Sequence, residues 1–303
     1  MIRTLKLLGQ EQAFRASDGD HYLGTMGPDG PLDIQRVFEV FCGKNGNVID
    51  VGSNIGITAV LAGRLVYPGS VLALEPVRQT FDYLVRNVEG SGSTNVRCLH
   101  VAAASAPGHV NLVSRPGHSF AAFVGYAEVL DRYAEYAEED VAAITLDQLV
   151  EDEKLSRVDF IKIDVEGFEL EVLRGSPLVL QRFQPTVFLE ANHYCLNIFR
   201  RLSMVDFLEE ILSIFPIVHA VDASLETLDL TEVTNHPHFF HDNVVRGRYQ
   251  NLLCGFGPSI ETNLGRLRAL GDAPPVEPDA MTRKSATESR NSHLVNRVRR
   301  RFS

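Results

Sequence analysis

The segment VIDVGSNIG, residues 48–56, constrains the fold more than any other part of the sequence. Its β-branched residues predict a buried strand, Gly52 and Gly56 predict a tight turn, and the apolar run that follows predicts a helix. Both glycines let the backbone bend sharply, with no Cβ between the turn and a ligand or the following helix. A strand, a glycine turn and a helix in this order form the unit with which α/β sheets bind nucleotide-like ligands. The sequence therefore predicts a ligand site at the carboxyl end of this strand.

The rest of the chain shows β-rich apolar runs that alternate with longer amphipathic segments. Such alternation is typical of βα units that build a mostly parallel sheet. We therefore predict an α/β fold with a mostly parallel seven-stranded sheet and helices on both faces. The predicted strands are 48–52, 71–75, 96–102, 159–164, 186–190, 217–221 and 252–256. The predicted helices are 55–66, 78–89 and 203–215, and a hairpin is expected at 109–113.

Three parts are expected along the chain. Residues 1–46 are predicted to be a helical and loop segment that covers this ligand site, which is assigned below to a methyl donor. Residues 47–256 are predicted to be the main domain, and residues 257–303 a linker and flexible basic tail. The net charge is -10, yet residues 281–303 hold seven Lys or Arg and one Glu. We expect solvated disorder for this tail. Residues 114–139 are longer than an ordinary connection between strands, so we assign them to substrate covering.

The composition disfavours several classes of protein. The four cysteines lie dozens of residues apart with no CxxC pair, which argues against a zinc knuckle and a redox motif. The acidic body of the chain makes nucleic acid an unexpected partner. The N-terminus lacks the apolar region of a signal peptide, and no long apolar run occurs elsewhere. We therefore expect a cytoplasmic protein with no transmembrane segment and no nucleic-acid partner.

Two residues near the glycine turn discriminate between cofactors. Asn54 stands where a dinucleotide-binding turn has the glycine that lets the backbone meet a pyrophosphate. Asp50 places a carboxylate nearby, where it would repel phosphates. S-adenosylmethionine has no phosphate and carries a sulfonium and an ammonium, which a carboxylate attracts. The turn thus favours this methyl donor, and an NAD-type oxidoreductase and a non-catalytic nucleoside-binding module stay as alternatives.

Acidic residues follow two other predicted strands. Glu75 ends the second strand nineteen residues beyond Gly56, and Pro76 follows it. An acid in this place can accept hydrogen bonds from both hydroxyls of a ribose. Asp164 ends the fourth strand, and Glu166 lies two residues further on, at the carboxyl edge where open α/β sheets bind ligands. These last two acids could position the methionine amino group, bind a metal or take a proton from an acceptor hydroxyl.

The sequence resembles the FkbM-type methyltransferases, whose members mostly methylate hydroxyls of sugars, glycoconjugates and natural products. The resemblance extends over residues 47–256 and is carried by VIDVGSNIG, LALEP, the third strand through Ala102, ITLDQL at 144–149 and IKIDVEGFELEVLRG at 161–175. It implies a Rossmann-like class I methyltransferase fold with S-adenosylmethionine as co-substrate. It also implies a donor site that contains Asp50, Gly52, Asn54, Gly56, Glu75, Pro76, Ala102 and Asp164.

Methyl transfer is an in-line displacement at carbon, so the protein must hold the acceptor oxygen behind the methyl group and help to remove its proton. The resemblance places Glu75 at the donor ribose and Asp164 beside the transferred methyl. The catalytic candidates are Asp164, Glu166, Glu190 and His193. A divalent cation at Asp164, Glu190 and Asn192 is conceivable but not favoured. We expect an acceptor hydroxyl on a sugar, glycoconjugate or natural product, and the sequence leaves the oligomeric state open.

Overall fold

The computed structural model describes residues 1–119, 122–124 and 137–271. Its strands in chain order are β1 Ile2–Leu7, β2 Gln10–Arg15, β3 Asn47–Val51, β4 Ser70–Leu74, β5 Val96–Leu99, β6 Ala102–Ala103, β7 Gly108–Ser114, β8 Ala122–Val124, β9 Ala137–Ile144, β10 Phe160–Ile163, β11 Thr186–Glu190, β12 Ile217–Val221, β13 Thr227–Asp229 and β14 Asn251–Gly255. Its helices are α1 His21–Thr25, α2 Leu32–Phe41, α3 Ile57–Val66, α4 Arg78–Ser91, α5 Leu146–Asp152, α6 Glu169–Arg174, α7 Pro177–Phe183, α8 His193–Arg200, α9 Met204–Ile214, α10 His236–Arg246 and α11 Pro258–Gly271, with a 3-10 helix at Val233–Asn235.

An eight-stranded sheet forms the centre of the fold, in the order β13, β12, β14, β11, β10, β3, β4, β5. β3 pairs in parallel with β4 and β10, β4 with β5, and β10 with β11. β14 is antiparallel to both of its neighbours, β11 and β12. The predicted α/β class is confirmed, and each of the seven predicted strands contributes to this sheet. The additional strand, β13, is a three-residue edge strand, too short to show an alternation of apolar and polar residues.

Hydrophobic side chains cover both faces of the sheet, because successive residues of a strand point to opposite sides. Ile49 and Val51 of β3 belong to one core, together with apolar residues of the helices from α5 to α10. Val48 belongs to the other core, together with residues of α2, α3, α4 and α11. Helices therefore cover both faces, as predicted. The same alternation puts Asp50 and Lys162, register partners on β3 and β10, side by side on one face.

The N-terminal segment differs from the prediction, because it begins with an antiparallel hairpin of β1 and β2 instead of helix and loop. Leu5, Leu7 and Phe14 are fully buried in the core from alternate positions of the two strands. Leu8 and Gly9 both have positive φ, as a two-residue hairpin turn requires. Leucine is an unusual residue at such a turn, which explains why the sequence signal for the hairpin is weak. Helices α1 and α2 follow the hairpin.

The C-terminal boundary also differs, because the residues just after 257 are helix α11 and not a linker. Ile260, Leu264 and Leu267 of this helix are buried in the core. With Leu270, these residues recur every three or four positions and form one apolar stripe, a helical period that the sequence prediction missed. The predicted flexible tail from 272 onward lies outside the described residues. None of the helices in the described part of the chain is long and apolar enough to span a membrane.

A second sheet follows the third strand of the central one. It has four strands in the order β6, β9, β7, β8 and contains the predicted hairpin region in β7. The third predicted strand therefore ends at Leu99 in the central sheet, whereas Ala102 pairs with Ala143 of β9 in the second sheet. Of the predicted substrate-covering region, residues 120–121 and 125–136 lie outside the described residues.

Candidate active site

The glycine turn after β3 makes close contacts that only glycine permits. Gly52 has a φ of +73°, and a Cβ there would lie 1.9 Å from the carbonyl oxygen of Asp164. The Gly52 N–H donates to the carbonyl of Leu74 on β4 at 3.0 Å. Gly56 has a φ of +93°, and a Cβ there would lie 2.7 Å from the side chain of Leu84 on α4. Gly52 thus lets the turn meet the end of β10, whereas Gly56 lets α4 pack against the start of α3.

A buried lysine, Lys162, lies beside this turn and is not among the site residues predicted from the sequence. Its Nζ donates a hydrogen bond to the carbonyl of Gly52 at 2.7 Å. The same Nζ lies 3.3 Å from Asp164 Oδ2 and 3.5 Å from Asp50 Oδ1. Burial lowers the pKa of this ammonium, but Asp164 and Asp50 more than offset that effect and raise the pKa above its ordinary value. The available signal was a lysine inside an otherwise apolar strand, FIKI.

Asp50, one of the predicted donor-site residues, is not among the residues that line the cavity at the turn. Its side chain is fully buried, and its Oδ2 accepts a hydrogen bond from the Thr58 hydroxyl at 2.7 Å. Because Asp50 lies two residues before Gly52, its side chain points to a face of the sheet rather than to the carboxyl edge. Lys162 opposes its charge, so any attraction between Asp50 and a bound cation is weakened.

Glu75, directly after β4, is joined to the glycine turn by hydrogen bonds. Its Oε2 accepts from the backbone N–H of Asn54 at 3.0 Å, and its Oε1 accepts from the N–H of Val77 at 2.9 Å. Burial raises the pKa of Glu75 to about 7, although these two hydrogen bonds act in the opposite direction. Each oxygen keeps a further lone pair, and the residue lines the cavity. The carboxylate can therefore accept two more hydrogen bonds, the number that a ribose diol offers.

A cavity of about 360 Å³ opens at the carboxyl edge of the sheet. The predicted site residues that line it are Gly52, Asn54, Glu75, Pro76, Asp164, Glu166 and Glu190. The predicted residues that do not line it are Asp50, Gly56, Ala102 and His193. Ala102 is buried in β6, and His193 is the first residue of α8, next to the capping residue Asn192. The strand ends thus bring most of the predicted site together, whereas Ala102 and His193 lie away from its lining.

Part of the cavity lining comes from residues that are not among the predicted site residues. The N-terminal segment contributes His21, Tyr22, Thr25 and Ile34. The second sheet and the connection from β7 to β8 contribute Leu112, Ser119 and Val124. None of these residues belongs to a motif whose spacing marks a ligand site, so the sequence carries no local signal for them. They reach the cavity only because the chain folds back over the sheet edge.

Three carboxylates converge at the ends of β10 and β11. Asp164, Glu166 and Glu190 each offer an oxygen within 4.8 Å of the others. Glu166 Oε2 accepts a hydrogen bond from the Cys195 thiol at 2.9 Å, and Glu190 Oε1 accepts a long one from the Asn192 amide at 3.4 Å. Burial, followed by the charge of Asp164, raises the pKa of Glu166 to about 7 and that of Glu190 well above its ordinary value.

This oxygen set suits two kinds of chemistry. Hard divalent cations bind carboxylate oxygens, and the buried Oε2 of Glu190 has no hydrogen-bond partner among the described residues. The three acids repel one another when they are ionised, and a cationic group of a substrate would relieve that repulsion as a metal ion would. Because the pKa of Glu166 lies near neutrality, an acid here can also accept a proton at physiological pH. The three carboxylates can therefore bind a cation or take part in proton transfer.

The fold defines an α/β domain of the Rossmann-like class. Its sheet edge carries a glycine turn, an acid on the neighbouring strand end and a group of carboxylates on the other side. The family described as methyltransferase FkbM domain matches residues 50–215 of the sequence. The chain belongs to this family, and the resemblance seen in the motifs is confirmed.

Curated relatives match about half of the chain. The hexuronic acid methyltransferase AglP of Haloferax volcanii is 30% identical over 152 residues, which cover 50% of this chain and 59% of AglP. The methyltransferase sdnD of Sordaria araneosa is 28% identical over 157 residues, which cover 44% of this chain and 61% of sdnD. The chain thus spans less than two thirds of the length of these relatives.

Solved structures are less similar in sequence to this chain than these relatives are. The methyltransferase FkbM from Methylobacillus flagellatus is 20% identical with a TM-score of 0.38, over 57% of this chain and 38% of that one. The O-methyltransferase from Bacillus cereus, in complex with SAH, is 14% identical with a TM-score of 0.41, over 77% of this chain and 82% of that one. Likenesses at this level assign no residue roles to the present chain.

Proposed function

We propose that this protein is an S-adenosylmethionine-dependent methyltransferase that methylates a hydroxyl of a sugar, glycoconjugate or natural product. The observation that carries the proposal is Glu75, a buried carboxylate bonded to the glycine turn at Asn54 and lining the cavity at the sheet edge. An acid in that place suits the two hydroxyls of a ribose. Membership of the FkbM methyltransferase family supports transfer of a methyl group.

The order of the strands indicates which residues would hold each part of the donor. β11, β10, β3 and β4 are neighbours, and adjacent strands lie about 4.8 Å apart. Glu190, Asp164, Gly52 and Glu75 end or follow these strands, so they form a row along the carboxyl edge. With the ribose at Glu75, the methionine part would be held at Gly52 and Asp164, close to the carboxylates of β11. The donor supplies an electrophilic methyl group, and the chain orients the acceptor oxygen toward it.

Lys162 and Asp164 would bind the two opposite charges of the methionine part. Both line the cavity, with the ammonium and the carboxylate 3.3 Å apart. Lys162 suits the methionine carboxylate and Asp164 suits its ammonium by Coulomb attraction. Among the described residues that line this cavity, Lys162 is the only Lys or Arg, against four carboxylates. A doubly negative pyrophosphate would be repelled here, which disfavours the NAD-type alternative.

Glu166 and Glu190 are the groups that we assign to removal of the acceptor proton. Both line the cavity beside Asp164. A general base is most effective when its pKa lies near the working pH, and burial raises the pKa of Glu166 to about 7. His193 is the less favoured base, because it does not line the cavity. The same carboxylates would repel the phosphates of nucleic acid, which supports a small-molecule or glycan acceptor.

A sugar is the acceptor class that we favour. The relative AglP is named as a hexuronic acid methyltransferase, and 30% identity over 152 residues supports a related acceptor for this chain. The second candidate role of Asp164, Glu166 and Glu190 is to hold a divalent cation that binds the acceptor oxygens. Activity measured with and without a chelator separates this role from proton transfer by the carboxylates alone.

Calorimetric titration tests the donor site. We expect S-adenosylmethionine and its demethylated product to bind, and NAD not to bind. Glu75→Ala should weaken donor binding about a hundredfold, the effect of losing two hydrogen bonds to a charged group. Glu232→Ala, which removes an exposed acid away from the cavity, should leave the affinity unchanged. Unchanged affinity in Glu75→Ala would contradict the ribose assignment, and binding of NAD alone would overturn the proposed function.

Incubation with isotope-labelled donor tests the transfer reaction. The purified protein is mixed with hexuronic acids, neutral sugars and a cell extract, and the labelled product is identified by mass. We expect label on a sugar oxygen. Asp164→Asn should lower turnover strongly and stability little, because Asp164 is 44% exposed and follows the strand instead of lying in the core. A protein that binds the donor tightly and labels no acceptor would favour the non-catalytic module.

A further inference from the structure

Asp20 is a buried acid of the N-terminal segment, outside the residues that the family match covers. Its Oδ1 accepts a hydrogen bond from the backbone N–H of Leu23 at 2.8 Å and so caps the start of α1. Its Oδ2 accepts a hydrogen bond from the backbone N–H of Ser119, also at 2.8 Å. One carboxylate therefore joins two segments that lie 99 residues apart in the sequence.

Both segments cover the cavity assigned to the donor. The residues that they contribute to its lining are His21, Tyr22 and Thr25 from α1, and Leu112, Ser119 and Val124 from the region of β7 and β8. α1 has only five residues, too few to be stable as an isolated helix. Its position over the cavity therefore depends on contacts with the rest of the protein, and Asp20 supplies one of them.

Helix capping does not account for the whole of this arrangement. A cap needs one acceptor oxygen, whereas both oxygens of Asp20 are used and the residue is only 2% exposed. Hydrogen bonds to a charged acceptor are stronger than those between neutral groups. Ser119 also lines a neighbouring cavity of about 340 Å³, which Asp20 borders as well. The bond between them therefore lies at the partition between two cavities.

Tyr22 shows what α1 adds to the donor site. It lines the same cavity as Lys162 and Asp164. Burial raises the pKa of its phenol, so the side chain is neutral and covers the two charged groups without opposing either of them. Water exclusion strengthens the electrostatic interactions within such a site. Displacement of α1 would therefore weaken the contacts that we assign to the donor.

We infer that Asp20 is a positioning residue, which holds the two covering segments together over the bound donor and thereby slows the release of the demethylated product. The inference rests on the proposed donor site. Asp20 itself does not line the cavity that contains Lys162 and Asp164, so it acts through the segments that it joins.

Variants that separate capping from bridging test this inference. Asp20→Ser keeps one side-chain oxygen suited to capping and lacks the second oxygen, whereas Asp20→Ala lacks both. Ser203→Ala is the matched control, because it removes the side-chain cap of α9, whose residues line neither cavity. The measurements are the dissociation rate of labelled S-adenosylhomocysteine, the hydrogen exchange of the Ser119 amide in the ligand-free protein, and the thermal midpoint.

We expect dissociation to be about tenfold faster in both Asp20 variants, the effect of losing one hydrogen bond to a charged group. Exchange of the Ser119 amide should also be faster in Asp20→Ser, with a thermal midpoint close to that of the wild type. The Ser203→Ala control should dissociate as the wild type does. Wild-type dissociation in Asp20→Ser, with faster dissociation only in Asp20→Ala, would show that Asp20 is a cap alone.

Two other results would also contradict the inference that Asp20 joins the two segments over the donor. Faster dissociation with unchanged exchange at Ser119 would mean that Asp20 touches the ligand directly, and the inference would be wrong. Failure of the wild-type protein to bind S-adenosylhomocysteine would overturn the donor site and this inference together. The first result leaves the proposed function intact, so the two failures are distinguishable.

Discussion

The carboxyl edge of the sheet and the segments that cover it are built in different ways. At the edge, Gly52, Glu75 and Asp164 are placed by strand pairing and by backbone hydrogen bonds. In the covering segments, the placement of α1 against Ser119 depends on the side chain of Asp20. The buried charges with raised pKa values lie at the edge. The difference teaches that the residues of the proposed chemistry are placed by the backbone, whereas the contact between α1 and Ser119 depends on one side chain.

Gly52→Ala should produce the largest effect on stability, because the added methyl group is incompatible with the backbone geometry of the edge. A Cβ would lie 1.9 Å from the carbonyl oxygen of Asp164, at a φ of +73°. We expect a loss of at least about 4 kcal/mol in the free energy of unfolding, or failure to fold. Gly92→Ala is the control, since Gly92 has a φ of +74° and open space around the added Cβ, and should cost about 1 kcal/mol. Equal losses in urea unfolding would show that the edge is no more constrained than an ordinary turn.

Lys162→Met should have the next largest effect on stability. It removes the cation that opposes the fully buried Asp50, and breaking a buried ion pair costs about 4 kcal/mol. Addition of Asp50→Asn should restore part of the loss, because no buried charge is then left unpaired. Lys44→Met, at an exposed position, should change the free energy of unfolding by less than about 0.5 kcal/mol. A Lys162→Met protein as stable as the Lys44→Met protein would contradict the charge arrangement.

The pH dependence of stability should report on Glu75. Burial raises its pKa from 4.5 to about 7 in the folded protein. The folded state therefore favours the protonated acid, and the stability from this group is present below pH 4.5 and lost as the pH rises to about 7. The shift corresponds to about 3 kcal/mol. Glu75→Gln should lower this dependence in urea unfolding by the share of Glu75, because Glu166 and Glu190 also have raised pKa values and keep theirs, whereas Glu232→Gln should leave the dependence unchanged. An unchanged dependence in Glu75→Gln would mean that Glu75 is already ionised there.

Tyr22→Phe should have the smallest effect, because it keeps the ring that covers the cavity and removes only the hydroxyl. We expect the free energy of unfolding to change by less than about 0.5 kcal/mol. Tyr22→Ala should weaken donor binding more than Tyr22→Phe does, since it removes the cover over Lys162. Calorimetry on both variants makes the comparison. A severe loss of affinity in Tyr22→Phe would show that the hydroxyl itself binds the donor. In that case α1 would supply a donor-binding group and not only a cover.

Local patterns predict individual residues of the edge, whereas for the cover they predict the segments and not their contacts. The strand at β3, the glycine turn and the acid at Glu75 are close in sequence to the residues that explain them. Asp50 was assigned to the cavity because of its nearness to the turn, but the two-residue period of a strand points it to a face of the sheet. The role of Lys162 is also not evident from its own strand, because its partners Asp50 and Gly52 belong to another strand and the turn that follows it.

The sequence predicts that residues 1–46 and 114–139 cover the site, but not the contacts that place them, because these contacts join residues far apart in the chain. The N-terminal hairpin has an unusual turn at Leu8, which weakens its sequence signal. The apolar period of α11 does not say where that helix packs. The contact between Asp20 and Ser119 spans 99 positions and involves a backbone N–H, which every residue except proline offers. No sequence pattern marks such a bond.

The sequence by itself determined the α/β class, the parallel strands and the glycine turn after β3, because periodicity and turn chemistry are local properties of a chain. Only the tertiary structure decided which charges are paired, which predicted residues reach the cavity, and how α1 and Ser119 meet above it. Those outcomes depend on strand register and on burial, which arise when distant segments pack together and exclude water.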